Sequence, residues 1–432
     1  MFLNLPLICS FLKLGFAEVA IGAALSLFYI YFNVKPNAGG SAFGKLRMRV
    51  LAGGYECLWA VFALYAVEAV VYIAVAFLAK PGIGLPIALG NLAMFFSFLA
   101  VILINGTVRV FASSKQASLI LRIAFVMLWW VPILNLILLK KFASTARKEY
   151  KFLESSSKRN IDRKHEQVCK TKYPLLMVHG IFFRDWKNFN YWGRIPDELE
   201  ANGAVIFYGN QQSSASVESC AEELKACIEK IVEETGCEKV NIIAHSKGGL
   251  DSRYAVSALG MGKHVASLTT INTPHWGCNY ARKLMELIPE KMVGALDHAY
   301  DALFSKLGDK SPDFLNGLVD LTDVECEKLN KELPDYPGVL CQSVGSKMAS
   351  RFSSPFPLNL GYSIIKPLEG DNDGLVSVGS MEWGEFLGIL APKGKKGISH
   401  ADMIDLTRKN VEGFDVSEFY VDLVQRLKKR GL

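Results

Sequence analysis

The sequence lacks the cysteine spacing of a metal knuckle or a redox dithiol. None of its nine cysteines pairs with another as CxxC, which argues against a zinc knuckle or a thioredoxin-like motif. Their irregular spacing along 432 residues favours buried free thiols, typical of a reducing compartment. The net charge is only +6, without a concentrated basic face, so a nucleic-acid-binding protein is excluded.

Acidic residues are scarce in the first third of the chain. Residues 1–135 contain nine Lys or Arg and three Asp or Glu, whereas residues 136–432 contain 39 of each sign. Half of all residues are apolar, which is too many for a disordered chain. The sequence therefore combines an apolar N-terminal part with a balanced, highly charged part that is typical of a globular domain.

Apolar stretches separated by Gly and Pro make up the N-terminal part. They run over residues 14–33, 57–79, 83–105 and 118–139. Each approaches the roughly 20 residues that cross the hydrocarbon core as a helix, which predicts a four-helix transmembrane region over residues 1–140. The alternative is a very apolar soluble helical domain. Glu18 and Glu68 lie inside spans and are expected to pack as protonated or hydrogen-bonded groups.

Basic residues flank these spans on both sides. Loops 34–49 and 106–117 carry lysine and arginine, and a denser cluster follows residue 140. With four spans, the two loops would lie on one side of the membrane and the cluster on the other. The positive-inside rule would then assign both sides to the cytoplasm, so it does not decide the orientation by itself. The denser cluster and the free thiols favour a multi-pass protein with a cytoplasmic C-terminal part. Residues 141–171 are predicted to form a charged linker.

After this linker, short apolar runs alternate with a helical pattern. The runs cover residues 174–178, 204–208, 240–244, 268–271 and 339–344. Between Ser214 and Gly236, apolar residues recur at helical spacing. The alternation predicts an α/β fold with a mostly parallel sheet and helices on both faces, over residues 172–432.

The run Ala244-His-Ser-Lys-Gly248 follows a buried strand and opens a helix. It departs from G-x-S-x-G only at Ala244, which is small enough for the tight turn that exposes a nucleophilic serine above a sheet. Ser246 is therefore the candidate nucleophile. The backbone N–H of Lys247, at the helix N-terminus, is a candidate donor to an oxyanion, and that of Ile181, in the loop after the first strand, is the second. The side chain of Lys247 need not take part.

A serine nucleophile needs a base, and this motif implies the chain order serine, acid, histidine. Of seven histidines, only His400 lies late enough. The acid is expected after a strand, and the turn that follows the apolar run Tyr362–Ile365 carries two carboxylates. Asp373 is the expected acid and Asp371 the reserve. The alternative is that this segment is a plain surface Asp-Gly turn.

Six segments resemble, in order, those of the bacterial triacylglycerol lipases of the α/β-hydrolase fold. They are Pro174–Gly180, Tyr191–Pro196, Ala244–Gly249, Asn272–Gly277, Asn372–Ser377 and Ser399–Asp402. The resemblance covers the part after residue 172 and none of the apolar region. It implies a nucleophile at Ser246, an acid at Asp373, a base at His400, and oxyanion donors at Ile181 and Lys247. A bacterial cell membrane is the expected location.

The resemblance also raises the question of a structural calcium ion. Many relatives hold one through an Asp just after the catalytic histidine and a second acid upstream of the catalytic Asp. Asp402 matches the first position, but no acid occurs from Gln342 to Lys366. This departure argues against calcium, and no other metal or organic cofactor is expected.

Apolar residues recur every three or four positions between Ala281 and Leu307. This spacing predicts a lid helix over an acyl pocket or, alternatively, a core helix of a cap subdomain within residues 281–330. Together, the patterns predict a membrane-anchored serine hydrolase of lipid esters, with the bilayer and its ester substrate as partners. The alternatives are a phospholipase, thioesterase or acyltransferase with the same triad, or a non-catalytic membrane protein with a relic hydrolase domain.

Overall fold

The computed structural model describes residues 4, 7, 16–37, 46–78, 85–181, 190–287, 313–391 and 396–432. The chain divides into two compact units, Met1–Asp162 and Arg163–Leu432. The described helices of the N-terminal unit are α1 Phe16–Val34, α2 Leu46–Leu78, α3 Leu85–Ser113, α4 Leu119–Met127 and α5 Leu134–Arg163.

Two of these helices are long and apolar enough to cross a membrane. They cover Leu46–Phe77 and Leu85–Ser113, while the apolar helix Val19–Val34 is shorter. A four-helix transmembrane region is therefore not confirmed. The predicted fourth span, residues 118–139, is wrong as one helix: α4 ends at Met127, and Pro132 and a positive φ of 66° at Ile133 precede α5. Proline has no backbone N–H to donate within a helix, and a positive φ departs from helical geometry. The chain is therefore not one continuous helix at these residues.

The predicted charged linker at residues 141–171 is helical as far as Arg163. Its Lys, Arg, Glu and Ala residues favour helix, and Lys158 pairs with Glu154 one turn away. The charge run therefore marks a solvated helix before the chain becomes irregular.

Glu68 lies in a buried polar cluster of the N-terminal unit. Its carboxylate accepts hydrogen bonds from Asn4 Nδ2 at 2.9 Å and Asn91 Nδ2 at 3.2 Å. These contacts fit the packing role expected of Glu68. The side chain of Glu18 lies outside the described residues.

The second unit is built on six parallel strands in the order β2-β1-β3-β4-β5-β6. Their bounds are β1 Leu175–Val178, β2 Ile206–Tyr208, β3 Val240–His245, β4 Val265–Ile271, β5 Leu340–Ser346 and β6 Glu385–Leu390. The described α-helices are α6 Ile195–Ala201, α7 Val217–Thr235, α8 Lys247–Ser257, α9 Asn279–Leu287, α10 Phe314–Val319, α11 Asp323–Glu332, α12 Leu358–Glu369 and α13 Val416–Lys429. The predicted parallel sheet is confirmed.

Alternate residues of β1 point to opposite faces of the sheet. Leu175 and Met177 join the apolar cluster that contains α13, while Leu176 and Val178 join the cluster that contains α7. All four are fully buried. Helices therefore cover both faces, as the continuous apolar run of this strand predicts.

Two predicted elements are corrected or fall outside the described residues. The run Tyr362–Ile365 is not a strand but part of α12, because Leu358 and Ile365, one heptad apart, share the buried side of a helix. The lid predicted between Ala281 and Leu307 is described only as far as Leu287, within α9. Residues 288–312 lie outside the described residues.

Candidate active site

Ser246 occupies the turn between β3 and α8. Its φ of 55° and ψ of −132° are strained for a residue with a Cβ. Two neighbours must be glycine: a Cβ on Gly248 would lie 2.3 Å from the His179 carbonyl oxygen, and one on Gly180 would lie 2.8 Å from Ser246 Cβ. This close packing forms the turn that sequence analysis predicts for a nucleophile.

Asp373 and His400 form a direct pair. His400 Nδ1 is 2.6 Å from Asp373 Oδ2, and the His400 backbone N–H donates to the Asp373 carbonyl at 2.9 Å. Asp373 Oδ1 accepts from the backbone N–H groups of Leu375 and Val376, each at 2.8 Å. Asn272 Nδ2 donates to Oδ2 at 2.6 Å. These bonds fix a fully buried carboxylate against one imidazole nitrogen.

The reserve acid, Asp371, is engaged elsewhere. It is 2.7 Å from Lys347 Nζ and also contacts Lys366. Hydrogen bonds from these two lysines lower the pKa of Asp371 to about 2. The structure therefore brings Asp373, rather than Asp371, to His400.

His400 lies against the residue that precedes the nucleophile. Its ring centroid is 4.4 Å from that of His245. Ser246 and His400 are both buried but not sealed, with 7% and 6% of their surfaces exposed. The Asp373–His400 pair therefore lies next to the carboxyl end of β3, beside the residue that precedes Ser246, at the edge where ligands of parallel sheets bind.

His245 and Tyr191 pack next to this arrangement. Tyr191 OH is hydrogen-bonded to His245 Nδ1 at 2.7 Å and accepts the Gly180 backbone N–H at 3.0 Å. Burial and the neighbouring His400 hold the pKa of His245 well below its ordinary range. His245 is therefore held in its neutral form, and its described hydrogen bond to Tyr191 gives it a packing role.

The predicted oxyanion donors belong to two segments that adjoin the nucleophile. Ile181 follows Gly180, which packs directly on Ser246, and Lys247 opens α8. The Lys247 side chain is buried and bonded to Asp251 at 2.7 Å. Burial alone would lower the pKa of Lys247, but the Asp251 carboxylate raises it, so the lysine stays charged. The Lys247 side chain thus has a structural partner in Asp251 and need not take part in the reaction.

The Asp402 carboxylate is hydrogen-bonded within its own turn. Its Oδ2 accepts from the Ser399 backbone N–H at 2.9 Å and from Ser399 Oγ at 2.6 Å. Within the described part of the chain, no three His, Cys, Asp or Glu side chains are close enough to share a metal ion. The described residues therefore do not fit a calcium ion at Asp402, and independence from calcium stays a prediction.

Sequence reasoning gave no role to Tyr191 or Asn272. Their partners His245 and Asp373 are 54 and 101 residues away in the chain, so no local pattern reveals the contacts. The available signal was that both residues fall in segments resembling lipases. Asn272 also has a φ of 49°, a conformation that asparagine tolerates better than most residues.

Residues 173–352 match the family described by the alpha/beta hydrolase fold. This match contains β1 to β5 and Ser246. Together with the parallel sheet and the turn at Ser246, it shows that the second unit has the α/β-hydrolase fold.

The chain is also similar to curated lipases. It is 31% identical over 181 residues to a triacylglycerol lipase of Pseudarthrobacter phenanthrenivorans, which covers 39% of this chain and 56% of the relative. It is 28% identical over 288 residues to a triacylglycerol lipase of Vibrio cholerae serotype O1, covering 61% and 90%. The chain thus spans only about half the length of the first relatives that it matches, 56% and 50%.

Among solved structures, the Staphylococcus hyicus lipase aligns with 60% of this chain and 97% of its own, at 19% identity and a TM-score of 0.48. The crystal structure of a metagenomic carboxyl esterase aligns with 60% and 76%, at 16% identity and a TM-score of 0.49.

Proposed function

We propose that this chain is a membrane-anchored serine hydrolase that cleaves carboxylic esters of lipids through an acyl-enzyme. The observation that carries the proposal is the buried Asp373–His400 pair beside Ser246, whose backbone is held in a strained turn. The lipase names of the relatives support an ester of a lipid as the substrate class.

In this reaction His400 takes the proton of Ser246 Oγ as the oxygen attacks the ester carbonyl. The negative charge that forms on the carbonyl oxygen is stabilised by the backbone N–H groups of Ile181 and Lys247. His400 then returns the proton to the departing alcohol, which leaves an acyl-enzyme. Water, activated by His400, releases the acid and restores Ser246. Asp373 orients the imidazole and stabilises its charged form.

The membrane anchor is supported by the exposure of α2 and α3. Only 11% and 22% of their most apolar windows are buried within the protein. Large apolar side chains such as Val70 and Phe77 are exposed. A water-soluble protein rarely exposes so continuous an apolar surface, whereas hydrocarbon solvates it.

Labelling by a fluorophosphonate probe tests the nucleophile in the full-length protein. Ser246→Ala should abolish both labelling and ester hydrolysis, since the probe forms a bond only with an activated serine. The matched control is Ser257→Ala on the same helix, whose hydroxyl donates to the Pro334 carbonyl; it should label normally. Labelling retained in Ser246→Ala would contradict the assignment.

The substrate class is tested by acyl release from acylglycerols of graded chain length, phospholipids and acyl thioesters. Fastest release from acylglycerols is expected. Faster release from a phospholipid or a thioester would keep the triad but change the substrate class.

A further inference from the structure

Helix α4 is much too short to cross a membrane. Its nine residues, Leu119–Met127, extend about 13.5 Å at 1.5 Å per residue. A bilayer's hydrocarbon core is about 30 Å thick, so a helix of this length that enters from one surface ends near the middle of the core. The chain then turns through residues 128–133 and enters α5 at Leu134.

The start of α5 runs back along α4. Phe125 of α4 stacks on Phe142 of α5 with ring centroids 5.3 Å apart. A cavity of about 260 Å³ between the helices is lined by Leu121 and Ala124 from α4 and by Lys141 and Thr145 from α5. The Lys115 backbone N–H, just before α4, donates to Glu149 of α5 at 3.1 Å. Later residues of α5 therefore lie beside earlier residues of the α4 segment, so the two helices are antiparallel. The chain therefore returns towards the side from which it came.

The turn between the helices satisfies its own carbonyl groups. Trp130 Nε1 donates to the Met127 carbonyl and Asn135 Nδ2 to the Trp129 carbonyl, both at 3.0 Å. The Val131 N–H donates to the Leu128 carbonyl at 3.2 Å. Backbone groups inside hydrocarbon need such internal partners because no water is available.

The side chains around this turn are apolar and exposed. Trp129, Trp130 and Ile133 each expose more than 60% of their surface. Basic residues lie towards the open end of the hairpin: Lys115 and Arg122 lie before and within the first turn of α4, and Lys140, Lys141, Arg147 and Lys148 follow the first turns of α5. Long lysine and arginine side chains there can extend to the headgroups. The hairpin thus has an apolar tip and basic residues towards its open end. Such a distribution is complementary to one leaflet, because the tip can enter the hydrocarbon while the basic residues reach anionic headgroups.

We propose that residues 119–142 form a re-entrant hairpin that inserts into a single leaflet and does not cross the bilayer. This inference rests on the membrane anchoring proposed above. It places residue 115 and residues after 142 on the same side of the membrane. The bilayer leaflet is the partner of the exposed tip.

The other basic segments meet at the same end of the N-terminal unit. Arg47, at the start of α2, donates to the Ser113 carbonyl at the end of α3 at 2.7 Å and to Glu149 at 2.9 Å. Arg109 donates to the Pro36 carbonyl after α1 at 3.2 Å. The described residues Pro36, Arg47, Arg109 and Glu149 therefore lie at one end of this unit, so the basic segments to which they belong share one side, and the positive-inside rule makes it the cytoplasmic one.

Cysteine accessibility in sealed vesicles of both orientations tests this topology. The variants are Lys115→Cys and Lys151→Cys on either side of the hairpin, and Lys80→Cys, in the chain between α2 and α3, as the opposite-side control. Each is made in the full-length protein, and labelling by a membrane-impermeant maleimide is compared with the unsubstituted chain. Lys115→Cys and Lys151→Cys should gain label only in inverted vesicles, and Lys80→Cys only in right-side-out vesicles.

Labelling of Lys115→Cys and Lys151→Cys from opposite sides would overturn the hairpin and leave the membrane anchor intact. Labelling of both from the outer side only would overturn the cytoplasmic assignment. Labelling of all three in both orientations would show that the chain is not inserted, which would overturn the anchor as well.

A fourth variant, Trp129→Cys, tests the tip of the hairpin. It should gain label only after detergent is added, and ready labelling without detergent would place the tip in water and overturn insertion.

Discussion

At the scale of single residues, two aspartates two positions apart have opposite surroundings. Asp373 is fully buried, and its oxygens are occupied by His400, Asn272 and two backbone N–H groups. Asp371 is only partly buried and is paired with lysines.

Asp373→Asn should lower kcat for ester hydrolysis by about 10⁴-fold, the loss typical of replacing the triad carboxylate by an amide. The amide cannot hold the imidazole in the tautomer that accepts the serine proton. Asp371→Asn is the matched control and should hydrolyse esters at close to the wild-type rate. Steady-state kinetics on a soluble ester measure both, and the reverse ranking would move the acid to Asp371.

His245 predicts a pH dependence of stability. Its folded-state pKa is well below the ordinary range because it is buried beside His400, whereas the unfolded chain titrates at about 6.5. Below that pH the unfolded state binds the additional proton, so the free energy of unfolding falls as the pH falls through about 6.5. His245→Gln should reduce this slope in denaturant titrations. The buried His275, whose pKa is also lowered, should maintain the remainder, and equal slopes would contradict the explanation.

How much of the site could be predicted depends on whether a residue acts through its neighbours in sequence. Ser246 is specified by small residues within two positions, and His400 by the chain order of the triad. Tyr191 contacts the site through His245 and Gly180, and these contacts exist only after the sheet forms. Apart from its place in a segment that resembles lipases, such a residue has no signal in a single sequence.

At the scale of elements, α8 carries a buried ion pair directly behind the nucleophile. Lys247 and Asp251 are one turn apart, and both side chains are almost completely buried. Removing one partner from such a pair leaves an unpaired buried charge. The first turn of α8, with its candidate oxyanion N–H, is therefore expected to depend on both residues.

Asp251→Asn should lower the free energy of unfolding by about 3–5 kcal/mol, the usual cost of breaking a buried pair, and should also lower kcat. The double variant Lys247→Met with Asp251→Leu should recover most of the stability, because neither charge remains. Replacing the exposed Lys331, which pairs with Glu327 on α11, by Met is the control and should change little. Chemical denaturation in detergent gives all three values; a stable Asp251→Asn would show that the pair does not support this turn.

Strands were easier to predict from sequence where they are buried on both faces. β3 and β4 are buried along their whole length and contain the predicted runs 240–244 and 268–271. β6 was missed because it lies at the sheet edge, is only partly buried, and contains Gly388. α12 was read as a strand because its apolar residues Tyr362–Ile365 stand together, although the buried contact repeats at a helical period.

At the scale of the whole molecule, the two compact units carry different tasks. Every residue assigned to the reaction lies in Arg163–Leu432, and the long apolar helices lie in Met1–Asp162. A chain beginning at Arg163 should therefore fold and cleave short soluble esters at a rate close to that of the full-length enzyme. It should lose activity on esters embedded in a bilayer.

Both rates are compared at equal enzyme concentration, with circular dichroism as the control for folding. A folded but inactive truncated protein would mean that the N-terminal unit completes the active site. Undiminished activity on bilayer esters would mean that the anchor does not serve catalysis.

In the proposed membrane-anchored enzyme, the exposed apolar surfaces of α2 and α3 would change the quantity that governs the reaction rate. An enzyme held in a bilayer by these helices meets its substrate by lateral diffusion in two dimensions. Its turnover then follows the mole fraction of ester in its own membrane and not the amount of ester per volume of solution. Diluting the ester with inert lipid in the same vesicle should slow each enzyme molecule, while adding further substrate vesicles should leave it unchanged.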